Sequence, residues 1–592
     1  MELPDRMGVL RVDLSERSVQ SERTPEAWRR RYIGGKGLGA RYLYDDLSPN
    51  VEPLDPENIL AFMLGPLSGY LPGEQRYAAI TKSPLTGTFL DSYSGGTFPE
   101  SLTSALGDHV GLLVSGQASD PVVLVVENGT ARVEQTDTWG LDAVKTCDAF
   151  DGSVACIGPA GEKRVAYATI ASDRADHHAG RGGAGAVMGS KQLKAVVARG
   201  SPLEPPPALA ARRERDETTF AASDTGRWHT TSETVETVDF ADRAGILASH
   251  GWRNRGFDDA ENIGIEAVCE RAYEREHDGV IPGGFRLETD VGDTVPRGAT
   301  AMSLGAGLAL SDFDAVVELG ERCNRLGMDL ISAGNAVAWA IRAAGEDLID
   351  YDIAFHDPDG ARTLLESIAA RDSPLGDTLA DGVETAVDRF GGGEFIPTVK
   401  QMTLPAYDPR GAASMALAYA TSDRGACHRR ARPVEREVFE EQWGVETMVQ
   451  EIIEAQDDRS VRWSLVADDF AGEVVVAEAW LDAIDVPHDD IETVGERIWN
   501  LVRLFNVREG FDREHDCLPN ALETGAALSK ERFDEMLDAY YEARGWGPNG
   551  TPARSTLRRL DLQDTVDDHT PIADSPIETS SRPTFDHTPD DP

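Results

Sequence analysis

Lysine is nearly missing from this chain: 592 residues contain eight, against 49 arginines. Cysteine is scarce as well. The six (Cys147, Cys156, Cys269, Cys323, Cys427 and Cys517) are scattered without one Cys-x-x-Cys pair, which excludes a disulfide framework. No stretch reaches the roughly 20 apolar residues that span a bilayer. The opening MELPDRMGVLRVDL has no signal-type apolar run. The sequence therefore reads as that of a soluble, cytoplasmic protein without membrane association. Basic charge is in deficit: 57 Lys and Arg against 103 Asp and Glu give a formal net charge of −46. That sign repels phosphate polyanions and anionic lipid, so nucleic acid and membrane surfaces are excluded as partners. The acidic residues are spread along the whole chain. With lysine so rare, the composition reads as that of a halophilic protein, whose self-repulsion is screened within roughly 3 Å at 1 M salt. An ordinary acidic enzyme is the plainer alternative.

What is present is enough for several cores. Hydrophobic residues make up 41%, and the length suggests about three or four domains. Residues 1–200 are glycine-rich with short β-branched runs; GVLRVDL, ENILAFML and a hairpin over 122–135 with an Asn-Gly turn are expected strands. The proline cluster in SPLEPPPALAARRERDE (201–217) reads as a linker. Residues 218–395 turn helical, with apolar residues at three-to-four spacing over 313–345. Residues 396–560 form a third, mostly helical region with an amphipathic helix over 490–511. Residues 561–592, rich in Pro, Thr and Asp, are expected to be a disordered acidic tail. The expected fold class is α+β, a β-rich domain followed by two mainly helical ones.

Five motifs carry chemistry. The stretch IGGKGLG (33–39) superficially resembles a dinucleotide loop, but no buried strand precedes it and no acidic partner follows at the right distance, so that reading is rejected. IGPAGE (157–162) and GRGGAGAVMGSKQLKAV (180–196) place Arg181 and Lys191 among glycines whose N–H groups form an anion-binding nest or a plain tight turn. RYAAITKSPLTG (76–87) followed by SYSGG (92–96) sets Arg76 near Gly95 and Gly96, a combination suited to a large anionic cofactor. NRLGMD (324–329) puts a glycine where a helix would break. YDPRGAASMALAYATSDRGACHRRA (407–431) ends with His428 beside a thiol, which points to proton transfer or to a structural histidine.

In their order along residues 7–560, these stretches resemble the tungsten-containing aldehyde:ferredoxin oxidoreductase family. RLFNVREGF and YYEARGWGPNG match as well. The resemblance implies a β-rich pterin-cradle domain and two helical domains. It also implies a tungsten (or molybdenum) bis-pterin, a [4Fe-4S] cluster, oxidation of an aldehyde to a carboxylic acid, and ferredoxin or another electron acceptor as partner. The family often forms homodimers. Carried over by residue, Arg76, Gly95 and Gly96 match the pterin-contacting loop, with Tyr93 where the family has an asparagine. Arg181, Gly182, Gly183 and Gly185 match the second pterin-phosphate stretch. NRLGMD matches an Asp-x-x-Gly-Leu-Asp pterin motif, with Asn324 for its first aspartate and Gly327 and Asp329 retained. His428 matches the active-site histidine, and Arg430 a basic residue facing the pterin. Matching FRLE (285–288) to the family's Pro-Glu-Tyr-Glu makes Glu288 the candidate catalytic carboxylate.

The resemblance fails at the cluster. The family holds it with Cys-x-x-Cys-x-x-x-Cys and one late cysteine, since each iron needs a soft thiolate. Counting from Cys269, the sole candidate, the next positions are Ala272 and Glu276. The late position, in WSLVAD (463–468), is Asp468. The two readings that follow are an aldehyde-oxidising enzyme with the cluster ligands largely lost, and a redox-inactive paralogue that serves as a pterin-binding or partner-binding subunit.

Overall fold

A computed structural model describes residues 6–578, except 291, 441–442, 520–521 and 523–527. The short apolar runs near the start become strands covered on both faces. Strands β1 (Gly8–Asp13), β2 (Ser18–Arg23), β3 (Leu60–Met63), β4 (Tyr77–Lys82), β5 (Phe89–Ser94) and β6 (His109–Ser115) form one sheet, ordered β2-β1-β6-β3-β4-β5. Strands β7 (Val122–Glu127), β8 (Thr130–Gln135), β9 (Ser153–Cys156), β10 (Ile170–Ser172), β11 (His177–Ala179) and β12 (Leu193–Ala198) form a second, ordered β11-β10-β9-β12-β7-β8. The two-residue period of a strand sends Leu60 and Phe62 into the layer between the sheets, with Leu124 and Val196. Ala61 and Met63 point the other way, onto helices. Burial on both faces is why these strands read as unbroken apolar runs. The hairpin forms as expected, β7 against β8, with Asn128 and Gly129 at φ 51° and 74°, the primed turn that Asn-Gly favours.

Glycines 34, 35 and 37 open the helix Gly35–Asp46. A Cβ on Gly35 would lie 2.2 Å from the Trp463 carbonyl oxygen. The glycine run therefore lets this helix lie against Val445–Leu465. Helix Phe313–Leu326 stops where Gly327 turns left-handed at φ 75°. Asp329 then caps Leu330–Gly345, accepting a 2.8 Å hydrogen bond from Ser332 N. Ile491–Arg508 is the expected amphipathic helix, capped by Asp490.

Two expectations are corrected. Most of the linker over 201–217 is helix, because Pro207 opens Pro207–Ala222; proline is well suited to a first helical turn. The tail is not disordered from 561. Leu562 is fully buried, the Tyr44 and Thr570 hydroxyls lie 2.6 Å apart, and Arg508 pairs with Asp567 at 3.3 Å. Polar anchoring holds this segment, so hydrophobic periodicity did not reveal it. Residues 579–592 of the expected tail lie outside the described residues.

Five of the eight lysines are buried: Lys36, Lys82, Lys191, Lys194 and Lys400. Each donates to backbone carbonyls or buried carboxylates. Lys194, for example, reaches Leu141 O at 2.8 Å, Ile157 O at 2.7 Å and Glu162 at 2.5 Å. Three radiating donors on one small ammonium do what a planar guanidinium does not. Among the described residues no single helix is long and apolar enough to cross a membrane.

Candidate active site

A cavity opens where β11 and the loop after it meet the helix Leu330–Gly345, the segment 405–407, the loop 424–432 and the segment 468–470. In a chain of net charge −46, its wall is rich in arginine: Arg76, Arg181, Arg297, Arg424, Arg429 and Arg432. Arg181 Nη2 donates to Thr403 O at 2.6 Å and Ala426 O at 2.9 Å. Its Nη1 lies 3.7 Å from Asp329 but is buried without a hydrogen-bond partner. Arg424 Nη1 donates to Asp91 O at 2.7 Å and Nη2 to Cys427 Sγ at 3.1 Å, and its Nε is buried without a partner. Arg76 Nη2 sits 2.8 Å from Glu74 and 3.5 Å from Asp468, again with Nε buried and unpartnered. Unpaired buried guanidinium N–H groups are costly. Three of them on one cavity fit an anionic guest with phosphate or thiolate acceptors. The donor set therefore fits a pterin dithiolene.

His428 lines this cavity with Tyr407, their ring centroids 5.5 Å apart. Burial, followed by the charges of Arg432 and Arg429, holds its pKa well below 6.5. The imidazole is neutral at physiological pH. Cys427 is fully enclosed beside it; burial alone would raise the thiol, but Arg424 and Arg181 outweigh it and draw the pKa below the usual value.

The structure brings Arg76, Tyr93, Gly95, Arg181, Asn324, Asp329 and His428 to this cavity. It does not bring the others. Glu288 lies exposed on the strand Phe285–Thr289, opposite Asp293. The segment that faces the cavity is instead Arg297, Gly298, Ala299 and Thr300, after Pro296, and it offers no carboxylate. Arg430 does not face the cavity. It is buried between Asp91 and Asp423, which also hold Lys36. Its guanidinium lies 4.6 Å from the Trp463 ring, and Trp463 stacks on Tyr93. Gly182 and Gly185 serve close packing against Leu90 and the Thr169 carbonyl. Gly183, at φ 86°, starts the helix Ala184–Ser190. Gly96 donates its N–H to Glu74 at 3.1 Å, so the Gly95–Gly96 pair cups a carboxylate of this chain. Gly327 acts as a helix stop. Cys269 is exposed on the helix Ile265–Arg271.

Sequence reasoning missed Arg424, which stands in the motif quoted for His428, and His177. Burial would lower the His177 pKa, yet Glu74 and Glu276, 3.2 and 3.0 Å away, lift it to about 9, against the opposing charge of Arg297. A group raised in the folded state stabilises it fully below its unfolded value of about 6.5 and loses that contribution as pH climbs through about 9. The unfolding midpoint is thus expected to fall between pH 7 and 10, by up to about 3 kcal/mol of stability. A His177→Gln chain whose pH dependence matches the parent's would refute this.

The chain matches the family model "Aldehyde ferredoxin oxidoreductase, N-terminal domain" over residues 9–200, and "Aldehyde ferredoxin oxidoreductase, domains 2 & 3" over 212–562. It belongs to the aldehyde ferredoxin oxidoreductase family of oxidoreductases. A tungsten-containing aldehyde ferredoxin oxidoreductase of Pyrococcus abyssi is 30% identical, covering 94% of this chain and 99% of the relative. One from Thermococcus kodakarensis is 30% identical over 93% and 98%. An "Aliphatic sulfonate oxidoreductase, WOR-like subunit" of Pyrococcus furiosus is 24% identical over 94% and 96%. A solved active-site complex BamBC of benzoyl coenzyme A reductase with 1,5-dienoyl-CoA shares the fold, with TM-score 0.80 and 22% identity over 95% and 98% of the two chains.

Proposed function

We infer that this protein oxidises an aldehyde to a carboxylate at a tungsten or molybdenum bis-pterin held in the arginine-walled cavity, and passes the electrons to ferredoxin or another acceptor. The observation that carries this reading is the set of unpartnered guanidinium N–H groups of Arg181, Arg76 and Arg424 around one cavity that also contains a neutral histidine. The bound metal–dithiolene centre supplies a two-electron sink and a Lewis acid. An aldehyde plus water yields a carboxylate, two electrons and three protons. His428 is placed to take the first of those protons, because only a neutral imidazole accepts one. The carboxylates Glu74, Glu233, Glu276 and Asp468 are each engaged by Arg76, Arg297 or His177. Arg181, Arg424 and Arg76 orient the anionic guest.

Purified from a tungstate-supplied host, the chain is expected to contain about one tungsten or molybdenum per molecule and to reduce a viologen dye only when aldehyde is present. A chain with neither metal nor aldehyde-dependent dye reduction would overturn the assignment.

A further inference from the structure

The two positions where sequence matching expects cluster thiolates and finds acids, Glu276 and Asp468, are far apart in the chain. Both line the cavity, each bound to a cation. Glu276 Oε1 lies 3.0 Å from His177 Nε2. Its Oε2 takes hydrogen bonds from Arg297 Nη2 at 2.8 Å and Gly284 N at 2.9 Å. Arg297 Nη1 continues to Glu233 at 3.0 Å. His177 Nδ1 turns to Glu74 at 3.2 Å, and Glu74 binds Arg76 at 2.8 Å. Arg76 reaches Asp468 at 3.5 Å, whose other oxygen accepts from Phe470 N and Ala471 N at 2.9 and 2.8 Å. The chain of contacts runs unbroken from Glu233 to Asp468.

We propose that this network stands in place of the family's [4Fe-4S] cluster, and that the chain binds no cluster. Three arguments support it. A cubane needs a soft anionic ligand on each of four irons, whereas the groups gathered here are hard carboxylates. Both acids already have their oxygens satisfied, and two guanidiniums and a protonated imidazole among them repel iron cations. The thiols are elsewhere: Cys269 is exposed on its helix, and Cys427, the one thiol on the cavity wall, accepts from Arg424. Among the described residues no group of three or more His, Cys, Asp or Glu is arranged to hold a metal ion. The network has a use of its own. It takes up Arg76 Nη2 from two sides, at Glu74 and Asp468, and so fixes the side chain of an arginine that lines the cavity.

This inference rests on family membership and holds whether or not an aldehyde is the substrate. The full-length chain is purified without oxygen, incubated with ferrous iron, sulfide and thiol, desalted through chelator, and assayed for iron, acid-labile sulfide and the paramagnetic signal after dithionite reduction. The expected result is well under one iron and no sulfide per chain, with no cubane signal. About four irons and four sulfides with such a signal would overturn the proposal. In a second measurement, Glu276→Ala and Asp468→Ala each lower the unfolding midpoint, on the order of 5 °C for a severed buried pair, without changing iron content. Unmoved midpoints would show that the acids are not the structural replacement claimed. Tungsten measured on the same samples reports on the pterin separately, so failure of one reading is distinguishable from failure of the other.

Discussion

An Asp91→Ala chain loses on the order of 3–5 kcal/mol of stability, the largest single effect expected outside the hydrophobic cores. Asp91 is fully buried on β5. It binds Lys36 Nζ at 3.1 Å, Arg430 through its other oxygen, and the Tyr93 hydroxyl at 2.7 Å. Asp423, which contacts the same two cations, completes a buried square of two positive and two negative charges. Removal of one corner leaves two cations to share one carboxylate without water. An exposed pair such as Arg227 with Asp224 is worth at most about 1 kcal/mol by comparison. The check is the unfolding midpoint of the Asp91→Ala chain, in the parent's salt, with Asp224→Ala as control. If Arg430 instead contacted the pterin, Arg430→Met would shed the metal and keep the midpoint. On the geometry described here it lowers the midpoint.

The second large effect is on turnover. His428→Ala is expected to lower kcat by roughly 10²–10⁴-fold, the usual worth of a positioned acid–base group, with tungsten content and KM little changed. Burial and the facing charges of Arg432, Arg429, Arg181 and Arg424 hold this imidazole's pKa well below 6.5. The parent's rate therefore stays level as pH falls through 6.5, where an exposed histidine would begin to fail. A variant within about threefold of the parent would remove His428 from the proton path.

Much of the scaffold was legible in the sequence, and the reasons are local. The Asn-Gly hairpin, Gly327 as a helix stop and the apolar stripes over 313–345 and 491–508 follow from rules that act over a few residues. Arg181, Asn324, Asp329 and His428, which line the cavity, were singled out by the resemblance of their motifs to the family's and not by any local rule. What escaped was non-local. Arg430 lies two residues from His428 yet turns into a buried ion square, because Asp91 and Lys36, remote in sequence, are waiting there. Glu288 was placed by pattern alone, and its strand turned out to hold it in solvent. The His177–Glu276–Arg297 chain joins three segments that share no motif. The anchoring of residues 561–578 by Asp567 and Thr570 uses polar contacts that leave no periodic trace.

The burial of lysine has a further meaning for a catalyst proposed to handle aldehydes. Free amines condense with aldehydes to imines, whereas guanidinium stays protonated and is a far poorer nucleophile. Only Lys145, Lys163 and Lys530 are exposed side-chain amines. The outer face of this protein therefore offers few amines to an aldehyde, and the other five lysines are buried.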